Sequence, residues 1–251
     1  MKTILLGAAA LSLISASAFA ADLGLAAPVV SPAFTWTGCY AGGQIGGGWG
    51  QKDLNDSAGI VSPITGFTSA NLNISGYMLG GQIGCDYQFA SRWVLGIEGA
   101  ALGGSIAGST SIATPVNAPD SATFSHKTDF LSSITARGGY AWNDWLLYAK
   151  GGVAWAGDRY SVFDVVGNYD FEGLETRVGW TAGIGVEWAF WHDWSLRLEY
   201  DYYGFGTNSV TFIDNVSGTI GPLDIKQNIQ VIMLGLNFHP FAWPTGAPAS
   251  W

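Results

Sequence analysis

Val178-Gly-Trp-Thr-Ala-Gly-Ile-Gly-Val-Glu-Trp-Ala-Phe190 is the stretch on which the fold turns. Val178, Trp180, Ala182, Ile184, Val186, Trp188 and Phe190 take every second place, and between them stand Gly179, Thr181, Gly183, Gly185, Glu187 and Ala189. A period of two puts the two sets on opposite faces of a β-strand, whereas a helix would scatter both. Tyr77 to Phe89 has the same form: Tyr77, Leu79, Ile83, Cys85, Tyr87 and Phe89 alternate with Met78, Gly80, Gln82, Gly84, Asp86 and Gln88.

The alternation recurs outward from these two stretches. Trp93, Leu95 and Ile97 flank Gly96 and Glu98; Phe130, Ile134, Ala136 and Tyr140 flank Ser133, Thr135 and Arg137. Trp145, Leu147, Val153 and Trp155 alternate with Tyr148 and Lys150, and Trp194, Leu196, Leu198, Tyr200 and Tyr202 with Ser195, Arg197, Glu199 and Asp201. Trp36 to Trp49, broken by glycines, and Asn228 to Phe238 complete a set of eight strands. Nine charges fall inside the patterned stretches: Asp86, Glu98, Arg137, Lys150, Arg177, Glu187, Arg197, Glu199 and Asp201. All nine share a face with the glycines and small polar residues, opposite the aromatic and aliphatic side chains. A soluble sandwich or ligand-binding barrel would turn its apolar face inward and stud the other with Lys and Glu. Here the polar face is sparsely and almost evenly charged, as a confined interior requires. The sheet therefore reads as inside-out, with apolar residues toward lipid and polar residues toward a lumen.

Three short connections share one design: Phe89-Ala-Ser-Arg-Trp93, Trp142-Asn-Asp-Trp145 and Trp191-His-Asp-Trp194. The residues bounding these turns, Phe89, Trp93, Trp142, Trp145, Trp191 and Trp194, form a candidate aromatic girdle at one interface. Four long connections, Gln51 to Ala70, Gly104 to Ser125, Asp158 to Leu174 and Gly204 to Leu223, alternate with the short ones. Transmembrane barrels carry short turns on the periplasmic side and longer loops outside. The reading is all-β, an eight-stranded antiparallel up-and-down transmembrane barrel.

Composition agrees. Hydrophobic residues make up 48% and aromatics 14%, which excludes disorder. No apolar run reaches the ~18 residues of a membrane-spanning helix. Only 12% of residues are charged, against about 25% in ordinary soluble domains. Ten bases against nineteen acids leave no footprint for nucleic acid. Lys2, the apolar Ile4 to Ile14 and Ala18-Phe19-Ala20 have the layout of a secretory signal over 1–20. A Pro-containing leader (Pro28, Pro32) follows over 21–35, then the barrel over 36–239 and a C-terminal extension over 240–251.

At this point the chain resembles a known group. Phe34-Thr-Trp-Thr-Gly-Cys-Tyr-Ala-Gly-Gly-Gln-Ile-Gly-Gly-Gly-Trp49 is similar to the first strand of the small alphaproteobacterial outer-membrane β-barrel (porin-like) family, which shares the eight-stranded barrel of outer membrane protein A. Leu234-Gly-Leu-Asn-Phe-His239 resembles its closing strand. The resemblance implies an address in the outer membrane, lipid as surroundings and insertion by the barrel-assembly machinery, which reads a terminal aromatic. In this chain Pro240 stands in that place and Phe241 to Trp251 follow, so Phe238, Phe241 and Trp251 all remain candidates for the signal.

An eight-stranded barrel encloses room for its own side chains only, whereas aqueous porins use 16–18 strands. The nine inward charges are therefore expected to pair across a plugged lumen, with glycines making room for long side chains from opposite walls. Arg177 and Asp201, near strand ends, fit either that network or a solvated rim. The expected role is structural and surface-displaying; the alternatives are a narrow porin-like channel and a soluble periplasmic ligand-binding barrel. Catalysis finds no constellation. His126 lies between Ser125 and Asp129 on one strand, where adjacent side chains point apart, while His192 and His239 fit a turn and a strand end. No enzyme activity, metal or cofactor is expected. The loops, Thr207 to Thr219 among them, could hold a partner of unspecified kind. Cys39 and Cys85 lie on adjacent antiparallel strands, near the short-turn end and with the same parity. They fit either a cross-strand disulfide or two small lipid-facing residues.

Overall fold

The structure, a computed structural model, describes residues 34–55, 69–113, 121–164, 170–214 and 218–242. The expected signal, most of the leader and residues 243–251 lie outside the described residues. Eight strands follow in chain order: β1 (Gly38–Asn55), β2 (Ser69–Gln88), β3 (Trp93–Ala113), β4 (Ser121–Trp142), β5 (Trp145–Asp164), β6 (Asp170–Trp191), β7 (Trp194–Asp214) and β8 (Gly218–Ala242). Each pairs antiparallel with the next, and β8 pairs with β1 to close the barrel. Val178 to Phe190 lies within β6, and its two faces point as the alternation requires: Val178, Trp180, Ile184, Trp188 and Phe190 outward, Thr181 and Glu187 inward.

The hairpins turn tightly at one end. Trp142 pairs with Trp145 and Trp191 with Trp194, leaving two-residue turns. Asn143 takes the left-handed conformation (φ 53°), which Asn tolerates because its short amide bonds locally. Arg92 does the same in the β2–β3 turn (φ 67°), where Phe89 and Trp93 are joined by a 2.8 Å backbone hydrogen bond.

β8 runs to Ala242, three residues beyond the expected end of the barrel. Its pairing with β1 skips between Cys39↔Phe241 and Ala41↔Phe238, so His239 and Pro240 stand together opposite Tyr40. Such a bulge gives Pro240, which has no N–H to donate, a place in a strand.

The outer face carries an apolar band of constant height. Tyr77 and Tyr87, Phe130 and Tyr140, Trp145 and Trp155, and Trp180 and Phe190 are each ten residues apart on one strand. Ten residues at ~3.3 Å each, tilted by ~40°, span roughly 25 Å, the height of the apolar band of an outer-membrane barrel. Beyond this band the sense of the alternation inverts. Gln51, Asp53, Asn71, Asn73, Thr176 and Lys226 face outward, while Ile74, Ile106, Ile225 and Ile229 are buried inside. Three of the four segments expected to be long loops are therefore mostly strand, and Gln51 to Ala70 is strand at both its ends, since pairing continues through Asn55↔Ser69, Ala113↔Ser121, Phe163↔Asp170 and Asp214↔Gly218. Outside the membrane a strand needs a wet outer face, so polar residues there are compatible with pairing.

Candidate functional site in the lumen

The interior is stacked in tiers. Just inside a small apolar layer of Val94, Ala141, Leu146 and Ala189 at the short turns, every strand sends a polar side chain inward. Glu98 of β3 lies at the centre: it accepts from Tyr40 Oη of β1 (2.7 Å), from Lys150 Nζ of β5 (3.2 Å) and from Arg197 of β7, with Arg137 Nη1 of β4 at 3.5 Å. Arg137 also holds Asp86 and Glu187, each at 3.0 Å, and its guanidinium lies 4.4 Å from the centre of the Tyr148 ring. Lys150 reaches Glu199 (2.6 Å) and Asp201 (3.2 Å), and Tyr148 Oη donates to Glu199 (2.6 Å). Arg197 donates to Gln44 Oε1 (3.1 Å), and Asn237 donates to Glu187 (2.7 Å) while accepting from Gln82 (2.6 Å). Three bases thus face five carboxyls, all buried.

Room for these side chains comes from cross-strand glycines. Gly84 pairs directly with Tyr40 and Gly185 with Tyr148. A Cβ on either glycine would collide with the paired tyrosine ring. The space therefore serves the neighbour in the next strand, and not, as expected, a side chain from the opposite wall.

A second tier has no counterpart in the sequence reading. Above the ions, Ile74, Met78, Leu102, Ile106, Leu131, Ala154, Ala156, Tyr203, Phe205, Ile229, Val231 and Met233 form one buried apolar cluster. Beyond it lies a smaller ionic tier around Asp158, which accepts from Thr128 Oγ1 (2.7 Å) and Gln227 Nε2 (3.3 Å) and lies 3.4 Å from both Lys52 Nζ and Arg177 Nε. Arg177 also donates to the Ile225 carbonyl (3.1 Å). The nine charges read from the sequence thus do not form one network: eight meet near the short turns, and Arg177 stands with Lys52 and Asp158, six to ten residues further along the strands, roughly 15–25 Å along the axis. Neither Arg177 nor Asp201 is a solvated rim residue; both are buried.

At the short-turn mouth the segment before β1 folds inward. Trp36 is buried, its backbone N–H donates to Gln88 Oε1 (2.9 Å), and the Gln88 backbone N–H donates to Thr37 Oγ1 (3.0 Å). Phe34 and Trp36 pack edge-on at 4.8 Å, with the His239 ring 5.2 Å and 6.0 Å from them. His239 was expected at a polar strand end, but the bulge at Pro240 turns it into the mouth, where Nε2 meets Ser195 Oγ at 2.9 Å. That hydroxyl is also bonded to Glu187, and both lie at the same ring nitrogen, unlike the serial order of a nucleophile, base and orienting acid. Trp36 was hidden in the sequence because its glycine-rich strand shows no parity. The side chain of His126 lies outside the described residues.

The six aromatics of the short turns, Phe89, Trp93, Trp142, Trp145, Trp191 and Trp194, are all exposed on the outer face. Trp93 packs on Tyr140 (5.6 Å), Trp145 stacks on Trp188 (5.6 Å) and Trp194 meets Phe238 (4.9 Å). At the other edge of the band a second ring of aromatics, unnoticed in the sequence, includes Trp49, Tyr77, Phe130, Trp180, Tyr200 and Tyr202, with Trp180 and Tyr202 5.3 Å apart. Cys39 and Cys85 are direct partners in the β1–β2 register, and their sulfurs are bonded at 2.10 Å.

Comparison with known proteins bears on these features. A family model described as "Outer membrane protein beta-barrel domain" matches residues 6–238. The 31 kDa outer-membrane immunogenic protein of Brucella melitensis is 30% identical over 256 residues, which is 95% of this chain and 99% of the relative. The 25 kDa outer-membrane immunogenic protein of Brucella abortus is 31% identical over 244 residues, 95% of this chain and 98% of the relative. Among solved structures, the outer membrane protein OprG from Pseudomonas aeruginosa aligns with a TM-score of 0.48 at 14% identity, covering 81% of this chain and 97% of that one.

Proposed function

The chain belongs to the outer-membrane β-barrel domain family and is an outer-membrane protein, and from that premise we propose that it is a plugged, structural barrel that presents its long-connection end at the cell surface. The observation that carries this reading is the apolar tier between two ionic tiers. A channel needs a continuous polar path, and the twelve buried side chains around Leu131 and Met233 interrupt it. Water entering among the ions from either mouth meets a layer with which it forms no hydrogen bonds.

The relatives' names, outer-membrane immunogenic proteins, are consistent with presentation at a surface. The soluble periplasmic alternative is set aside by the family and its address. In this reading lipid covers the roughly 25 Å outer band, the two aromatic rings lie at its interfaces, and the assembly machinery inserts the chain. In the same reading the expected signal over 1–20 directs export. Planar-bilayer recording of the pure protein tests the plug: a silent membrane is expected, and long-lived open-channel currents of uniform size would overturn it in favour of the narrow channel.

A further inference from the structure

Above the membrane band the wall is not continuous. β2 and β3 pair up to Ser75↔Ala107 and no further, although they extend to Ser69 and Ala113. β6 and β7 pair from Trp191↔Trp194 up to Trp180↔Gly204, yet β6 begins at Asp170 and β7 runs to Asp214. The other pairings persist to the ends of at least one partner strand. Beyond the band the barrel thus becomes two four-stranded sheets, β7-β8-β1-β2 and β3-β4-β5-β6, separated by two seams.

The β6–β7 seam has a local cause. Gly206 adopts φ 66°, with open space where a Cβ would stand, and the β7–β8 register shifts between Gly204 and Thr207. This bends β7 away from β6. Arg177 crosses the seam from β6 to the Ile225 carbonyl in β8. No β6–β7 backbone pairing occurs above it among the described residues.

An exposed edge strand is a template for another strand, and proteins blunt such edges with charge, proline or a cover. The free edge of β7 reads Thr207-Asn-Ser-Val-Thr-Phe-Ile213, with no charge and no proline and five residues of high strand propensity. The whole long-connection end, over 50–76, 104–129, 156–179 and 204–228, holds eleven acids against five bases. We propose that this seam is a strand-addition site, where a partner protein's extended, Lys/Arg-containing segment pairs main chain to main chain along Thr207–Asp214. Backbone bonds supply the affinity, and the acid excess of this end favours a basic strand. The inference rests on the reading that this end faces outside the cell.

The probe is a ten-residue peptide of alternating Thr/Val and Lys, offered to the purified full chain in detergent micelles. Amide exchange within 207–214 is expected to slow at least tenfold on binding. The same peptide N-methylated at alternate residues, or with Glu replacing Lys, is expected to bind at least tenfold more weakly. Equal binding of the N-methylated peptide would overturn the proposal by showing charge attraction alone. So would amides in 207–214 that are already fully protected without peptide, because the edge would then be covered by the chain itself or by a second copy. Orientation is checked separately by protease shaving of whole cells: cleavage from the periplasmic side only would remove the surface reading while leaving the pairing result intact.

Discussion

Replacing Arg197 by Met removes one of three bases that face five carboxyls in the lower ionic tier. The side chain is buried and touches Glu98, Glu199 (3.7 Å) and Gln44 (3.1 Å). Breaking a buried ion pair by removing one partner costs about 3–5 kcal/mol, because the other charge is left uncompensated. That range corresponds to roughly a hundred- to several-thousand-fold change in the unfolding constant. The control is Lys127→Met, which breaks an ion pair with Asp129 (2.6 Å) on the outside, where the side chains are 46% and 30% exposed. Solvent screens that pair, and its loss costs at most about 1 kcal/mol. Because acids exceed bases in the lower tier, Glu199→Gln is expected to cost less than Arg197→Met. The assay is urea unfolding of the barrel in detergent micelles, followed by tryptophan emission and by the mobility of unboiled protein on a gel. If Arg197→Met lost no more stability than Lys127→Met, the tier would be hydrated and the reasoning wrong.

Leu131→Ala opens a cavity in the apolar tier and is expected to cost about 2–5 kcal/mol in the same unfolding assay, while bilayer recordings stay silent because the rest of the tier persists. Gly185→Ala pushes a methyl into the Tyr148 ring; a loss of about 1–3 kcal/mol is expected, with crystallography showing the Tyr148–Glu199 hydrogen bond displaced. Alkylation of the unreduced protein should leave its mass unchanged. Cys39→Ser with Cys85→Ser should cost up to about 4 kcal/mol, the chain-entropy value for a link across 46 residues.

Within the membrane the fold was legible because lipid makes an unambiguous demand: one face of each strand must be apolar. Val178 to Phe190 shows the pattern in full, and the inward charges follow from it by parity. Above the membrane that demand disappears, so Gln51 and Asp53 beside a buried Lys52 look like loop residues, although they continue the strand. Lys52 and Asp158 fell in segments read as loops for the same reason. The apolar tier escaped notice because Met78, Leu131 and Met233 share parity with the ions, and a rule of polar interior and apolar exterior has no place for them. Pairing across the lumen was equally hidden. Parity says that Glu98 and Arg197 both point inward, but only the tilt and closure of the barrel decide that they meet.

The inward-folded Trp36 has a consequence for how the barrel is completed. Its neighbour His239 lies at the far end of the chain, 203 residues on, and the two rings come within 6.0 Å only when β8 has closed on β1. The indole is therefore a timer placed at the last event of assembly. With the other tryptophans replaced by phenylalanine, its emission would report the moment at which an open, curling sheet becomes a ring, separately from the earlier growth of the hairpins.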